Sequence, residues 1–102
     1  MKSKLNKIAK AIQDHKTLSF YYDGYGRMVE PHALGLSSRG HYVLRCYQTG
    51  GSSREGKLGW KLMIVEDIKS LTAIPAQFLT PREGYKQGDK GMTKIISELK
   101  QG

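Results

Sequence analysis

The chain has 102 residues, 17 lysines and arginines against 9 acids, and a formal net charge of +8. That length makes one domain with a modest core. The single cysteine, Cys46, excludes an internal disulfide and a zinc site built from thiolates alone. The charge favours anionic partners: nucleic acid, nucleotides or an acidic protein. The lysines are scattered and form no basic block, which argues against a disordered nucleic-acid tail. An unpaired thiol suits a reducing compartment. No apolar run approaches the roughly 20 residues of a membrane span, and the N-terminus lacks the apolar region of a signal peptide. A cytoplasmic protein with no membrane contact is the expectation.

The first predicted element is a helix over residues 3–15. Leu5, Ile8, Ala9 and Ile12 recur at helical spacing and make one apolar stripe, with Ser3 as N-cap. Thr17 to Asp23 alternates as a strand, with Leu18, Phe20 and Tyr22 on one face. Asp23 to Gly26 reads as a turn. A second strand runs from Arg27 through Leu36, and Pro31 marks an edge or a bend in it, because proline donates nothing to a ladder. Ser38-Arg39-Gly40 is the next turn.

His41 to Gln48 is the third strand. Tyr42, Leu44, Cys46 and Gln48 form its better core face, while His41, Val43, Arg45 and Tyr47 point the other way. Cys46 is read as a small buried hydrophobe. Thr49 to Gly59 is a long loop. Its Gly50-Gly51-Ser52-Ser53 run could offer N–H groups to an anion, but it lacks the Gly-Lys-Ser/Thr ending of a phosphate loop. Trp60 to Val65 is a fourth strand, Glu66-Asp67 a turn, and Ile68 to Ile74 a fifth strand. In the tail, Pro81, Gly84, Gly88 and Gly91 break regular structure. From Asp89, as N-cap, the spacing of Met92, Ile95, Ile96 and Leu99 predicts a helix. One helix and five short strands point to a small β-barrel flanked by helices: helix 3–15, barrel 17–74, helical tail 75–102.

From Ile8 to Ile74 these pieces resemble the WYL domain family. The helix-to-strand opening KIAKAIQDHKTLSFYY, Arg27 followed by Val29-Glu30-Pro31, the triplet His41-Tyr42-Val43 after Gly40, and the closing GWKLMIVEDIKSL carry the likeness. The tail PREGYKQGDKGM is similar to that of short, stand-alone bacterial or mobile-element proteins of this type. The resemblance implies a five-stranded, Sm-like barrel that binds nucleic acid or a nucleotide-like effector. Many relatives are transcription regulators whose barrel controls a helix-turn-helix. A chain of this length has no room for that reader, so a sensor or sponge acting alone or in trans is the expectation. Two departures stand out. The triplet opens with His41 where the family usually has Trp. Closing-strand arginines near the positions of Ile64 and Asp67 are absent, and Arg45 and Lys61 are the candidates to replace them.

Arg27 is the first candidate ligand residue, because its planar fork holds a phosphate with two parallel bonds. An ion pair with Glu30 or another strand acid is the competing role. Tyr42 and His41 could stack a base or bond a phosphate, or serve as core tyrosine and exposed strand histidine. His32 follows Pro31 toward the same groove. Arg45 is a second cation and Gln48 could read a base edge. Trp60 fits core or barrel rim better than a stacking platform. Arg82, Tyr85 and Lys86 interleave cations and an aromatic, a pattern of single-strand binders and equally of a tail clamped to the barrel. The ligand-binding set is therefore Arg27, His32, His41, Tyr42, Arg45, Gln48, Lys61, Arg82 and Lys86. The separation of His32 and His41 matches no common metal-ligand pattern. No nucleophile motif with a matching base is present. Neither a cofactor nor catalysis is expected. The function expected is a regulatory module binding nucleic acid or a nucleotide-like anion. A protein-interaction or self-assembling module, as a homodimer or higher homo-oligomer, is the alternative, motivated by the apolar tail and the open barrel edges.

Overall fold

The computed structural model describes residues 1–101; Gly102, the last residue of the predicted tail, lies outside them. A helix, α1 (Lys2–Gln13), precedes five strands: β1 (Lys16–Tyr22), β2 (Tyr25–Leu36), β3 (Tyr42–Gly51), β4 (Gly59–Ile64) and β5 (Lys69–Gln77). A short 3-10 turn over Val65–Asp67 joins β4 to β5, and a sixth strand, β6 (Lys94–Glu98), ends the chain. All ladders are antiparallel, in the order β4-β3-β2-β1-β5, with β6 also on β2. Among the described residues no ladder joins β4 to β5, so the sheet is open: the expected closed, five-stranded barrel over 17–74 is corrected to an open antiparallel sheet of six strands. A side chain spans part of the gap: the Tyr22 hydroxyl accepts the Ile64 N–H at 3.0 Å.

The α1 stripe buries Ile8, Ala11 and Ile12. They meet Leu18, Phe20, Val29, Leu44, Cys46, Met63 and Ile68 of the sheet in one core. Met1 precedes the helix and Ser3 falls inside it, so Ser3 is not the cap. The β1–β2 hairpin closes on two residues, Asp23 and Gly24, with φ of 54° and 79°. Two positive φ values make a turn whose twist matches the flanking strands, and Asp-Gly supplies it at little cost. Both following residues, Tyr25 and Gly26, are already strand.

β2 is the spine. Its first half pairs with β1 as far as Val29, and its second half pairs with β6 from Ala33 onward, while β3 runs along its other edge. Pro31 stands between the two ladders, where no N–H is required. The register slips beside it: Pro31 faces Cys46 and Ala33 faces Arg45, leaving His32 as the extra residue of a bulge.

The tail is the main correction to the sequence reading. Its last ordered element is a strand and not a helix, and Asp89 caps nothing helical. Residues 78–92 run irregularly across the sheet and β6 then docks on β2. Gly35 makes room for this crossing, because a Cβ there would collide with the Lys94 carbonyl and lie 2.7 Å from the Met92 sulfur. Met92 and the half-buried Ile95 join Ala33, Val43 and Ile64 in a second, smaller cluster.

Candidate functional site

The register of β3 and β4 sorts their side chains onto two faces. Leu44, Cys46, Gln48, Lys61 and Met63 share the face toward the main core, while Val43, Arg45 and Tyr47 share the other with Trp60, Leu62 and Ile64. The tail crosses this second face and clamps to it at three points. Arg82 forks onto Glu30 at 2.8 and 3.0 Å, with its guanidinium 4.8 Å above the Tyr47 ring. The Trp60 indole donates to the Glu83 carbonyl at 3.1 Å. Arg45 forks onto Asp89, donating from Nε at 2.7 Å and from a terminal nitrogen at 3.3 Å.

Between the second and third clamps the tail stands away from the sheet and leaves a cleft of about 400 Å³, lined by Arg45, Trp60 and residues 84–90. Trp60 and Tyr85 stack along it, with ring centroids 6.4 Å apart and planes 23° from parallel. Gly84 has φ of 92°, and a Cβ there would press to 3.3 Å from the Trp60 indole nitrogen. Its absence lets the tail lie against the ring. Tyr85 is anchored by its hydroxyl, which donates to the Leu99 carbonyl at 2.6 Å. Burial pushes its phenol up to about 12, so it stays a neutral donor. Lys86 and Lys90 line the cleft and are exposed, and neither forms an ion pair among the described residues. Among the described residues Asp89 is the one acid in the lining. Its hydrogen bond from Arg45 holds its carboxyl below the usual range, and the Gly91 N–H adds to this.

His32 forms the back of the aromatic cluster. Its ring meets Trp60 edge-on at 4.7 Å, Tyr85 at 5.2 Å and Phe78 at 5.7 Å. The side chain is fully buried. Nε2 accepts the Arg82 N–H at 3.0 Å, which leaves Nδ1–H to donate to the Glu30 carbonyl at 2.8 Å. Both ring nitrogens are therefore used in the neutral tautomer. Burial holds the imidazole below its ordinary 6.5.

The predicted ligand residues do not share one place. Arg45 and Lys86 line the cleft, Arg82 lies outside its lining with its guanidinium on Glu30 and Tyr47, and His32 is buried in the aromatic cluster. Arg27 and Gln48 are buried together on the opposite face and support the fold. Arg27 donates to Gln48 Oε1 at 3.2 Å and to the Tyr22 carbonyl at 3.1 Å, and lies over the Tyr22 and Tyr25 rings. Glu30, its expected partner, pairs with Arg82 instead. Gln48 in turn holds the Gly50 and Ser52 carbonyls, and the Ser52 N–H is taken by Gly26, so this glycine loop is folded onto itself. Tyr42 packs against the main core, Lys61 is half-buried on that core face, and His41 is exposed in the turn before β3. The predicted groove through Arg27, His41, Tyr42 and Arg45 is thus not one surface, because strand alternation turns Tyr42 and Arg45 opposite ways.

Sequence reasoning weighed Trp60 and Tyr85 without placing them side by side, and it missed Asp89 and Lys90 as site residues. The interleaving of Arg82, Tyr85 and Lys86 was the signal available. No family model matches the chain, and neither a curated protein nor a solved structure matches it. No helix among the described residues is long and apolar enough to cross a membrane.

Proposed function

We propose that this protein is a ligand-binding regulatory module, and that the cleft between the sheet and the tail takes a nucleotide or a short stretch of single-stranded nucleic acid. One observation carries this reading: a stacked aromatic pair, Trp60 and Tyr85, shares a cleft of about 400 Å³ with three cations, Arg45, Lys86 and Lys90. A base has an aromatic face to pack and a phosphate to neutralise, and the cleft supplies both kinds of partner. The net charge of +8 favours such ligands at a distance. The likeness to WYL domains supports the same class. Where that family often carries closing-strand arginines, this chain has Ile64 in an apolar cluster and Asp67 in the 3-10 turn. Anion binding therefore falls to Arg45 and the tail lysines.

Trp60 is the only tryptophan, so its emission reports on the cleft directly. Titration with 5′-mononucleotides and with short single strands at low salt should give saturable quenching. Lys86→Ala and Lys90→Ala should each weaken strand binding by a few-fold and reduce the salt slope by about 0.7 per lost phosphate contact. Unchanged emission and no binding of any of these ligands would sink the proposal. A second reading draws on Leu58 and Leu62, 56% and 43% exposed beside the unpaired edge of β4. That edge could pair with another copy, and light scattering across a concentration series would show it.

A further inference from the structure

Among the described residues Arg45 is the only guanidinium in the cleft lining, and its fork is already filled. Asp89 occupies it from the tail with a carboxylate whose side chain is only 11% exposed. This is the geometry in which a guanidinium receives a phosphate. The carboxylate and a ligand phosphate cannot occupy one fork together, because two anions at that separation repel. Asp89 has few other ties: its Oδ1 accepts the Gly91 N–H at 2.8 Å. The loop around it is held independently, by Gly88 N–H on Glu98 at 2.8 Å and Gln87 N–H on Gln101 at 3.0 Å. Asp89 can therefore leave Arg45 without undoing the tail. Lys86 and Lys90 flank it on the same loop and line the same cleft.

We propose that Asp89 is an internal stand-in for a ligand phosphate, and that Arg45 with Lys86 and Lys90 forms a subsite selective for terminal phosphate groups. This rests on the cleft being the ligand site. The selectivity follows from charge. A phosphodiester carries one negative charge and replaces the single charge of Asp89 with little gain. A terminal phosphate carries close to two at neutral pH, and the surplus meets the two lysines. The subsite thus ranks a 5′-phosphorylated end or a mononucleotide above an internal stretch of strand. Asp89 sets the threshold.

The test compares one trinucleotide with and without a 5′-phosphate, read by Trp60 emission. The wild-type chain should bind the phosphorylated form about tenfold more tightly. Asp89→Asn keeps an oxygen for the Gly91 N–H but removes the charge. It should bind the unphosphorylated form several-fold better and narrow the gap between the two. Arg45→Gln should abolish the gap by weakening the phosphorylated form. Glu66→Gln changes the net charge equally at an acid that forms no ion pair among the described residues, and should leave both affinities within about twofold. In the wild-type chain, the Asp89 carboxyl resonance should titrate nearer its ordinary range when the phosphorylated strand is bound, which needs no variant to fold. Equal wild-type affinity for the two ends would overturn the proposal while leaving the cleft as a binding site. So would loss of binding in Asp89→Asn to the level of Arg45→Gln, since Asp89 would then only position Arg45. Failure of the wild-type chain to bind either strand would remove the cleft reading and this proposal together.

Discussion

Arg27 and His32 are polar side chains that the fold consumes. Arg27 is 6% exposed and, among the described residues, has no carboxylate partner and no hydrogen-bond partner for its Nε. Two carbonyl oxygens and two tyrosine faces hold the cation instead. Arg27→Met should leave Gln48 Oε1 and the Tyr22 carbonyl unmatched and lower stability by about 2 kcal/mol in urea unfolding. Nucleotide affinity should not change. His32 gives the fold a pH dependence. Its folded pKa lies below the ordinary 6.5 because burial disfavours the cation. Above 6.5 the imidazole is neutral in both states and full stability holds. Below 6.5 the unfolded chain takes the proton first, and stability falls until the folded pKa is reached. The slope from this group approaches about 1.4 kcal/mol per pH unit. Urea unfolding at pH 7.5 and 5.5 should show the loss, and His32→Gln, though less stable overall, should flatten it. Cys46 is fully buried and its thiol is pushed up to about 12 by that burial. It should resist alkylation in the native protein and react once urea unfolds the chain.

At the scale of elements, α1, β1 and β3 were legible because each buries mainly one face at a regular period, whereas β2 is buried without a break from Val29 to Gly35 and β5 buries no residue. The stripe of α1 and the alternation of β3 survive in the structure almost residue for residue. Turn chemistry was legible too, with the Asp23-Gly24 hairpin as the clearest case. The tail was misread for a physical reason. Met92, Ile95, Ile96 and Leu99 have helical spacing, yet the second half of β2 has an edge that only a strand can fill. Pairing with that edge outweighs local pattern. The β-branched run Thr93, Ile95 and Ile96 carried the strand signal, and Ile96 is 44% exposed as alternation requires. Gly35 is where this pairing is most exposed to test. Gly35→Ala should destabilise by about 1–3 kcal/mol. Amide exchange should then quicken first in Lys94–Glu98 and in the facing half of β2.

At the scale of the whole molecule, the tail converts a half-covered sheet into a sheet with a cleft. The candidate site was only partly visible in the sequence because its halves are distant in the chain. Arg45 and Trp60 come from adjacent strands, Lys86, Asp89 and Lys90 from a loop tens of residues later, and no local pattern joins them. Strand alternation also hid which polar residues share a surface, because the bulge at His32 resets the register of β2. The aromatic and cationic groups brought together by the tail are proposed to bind an anionic, base-bearing ligand. Backbone amide shifts followed by NMR, as a 5′-phosphorylated trinucleotide is added at low salt, test this proposal most directly. The largest saturable shifts are expected at Arg45, Trp60 and residues 84–90, with Arg27 and Gln48 unmoved. Shifts centred on Arg27, Gln48 and the Gly50–Ser53 loop, or no shifts at all, would contradict it.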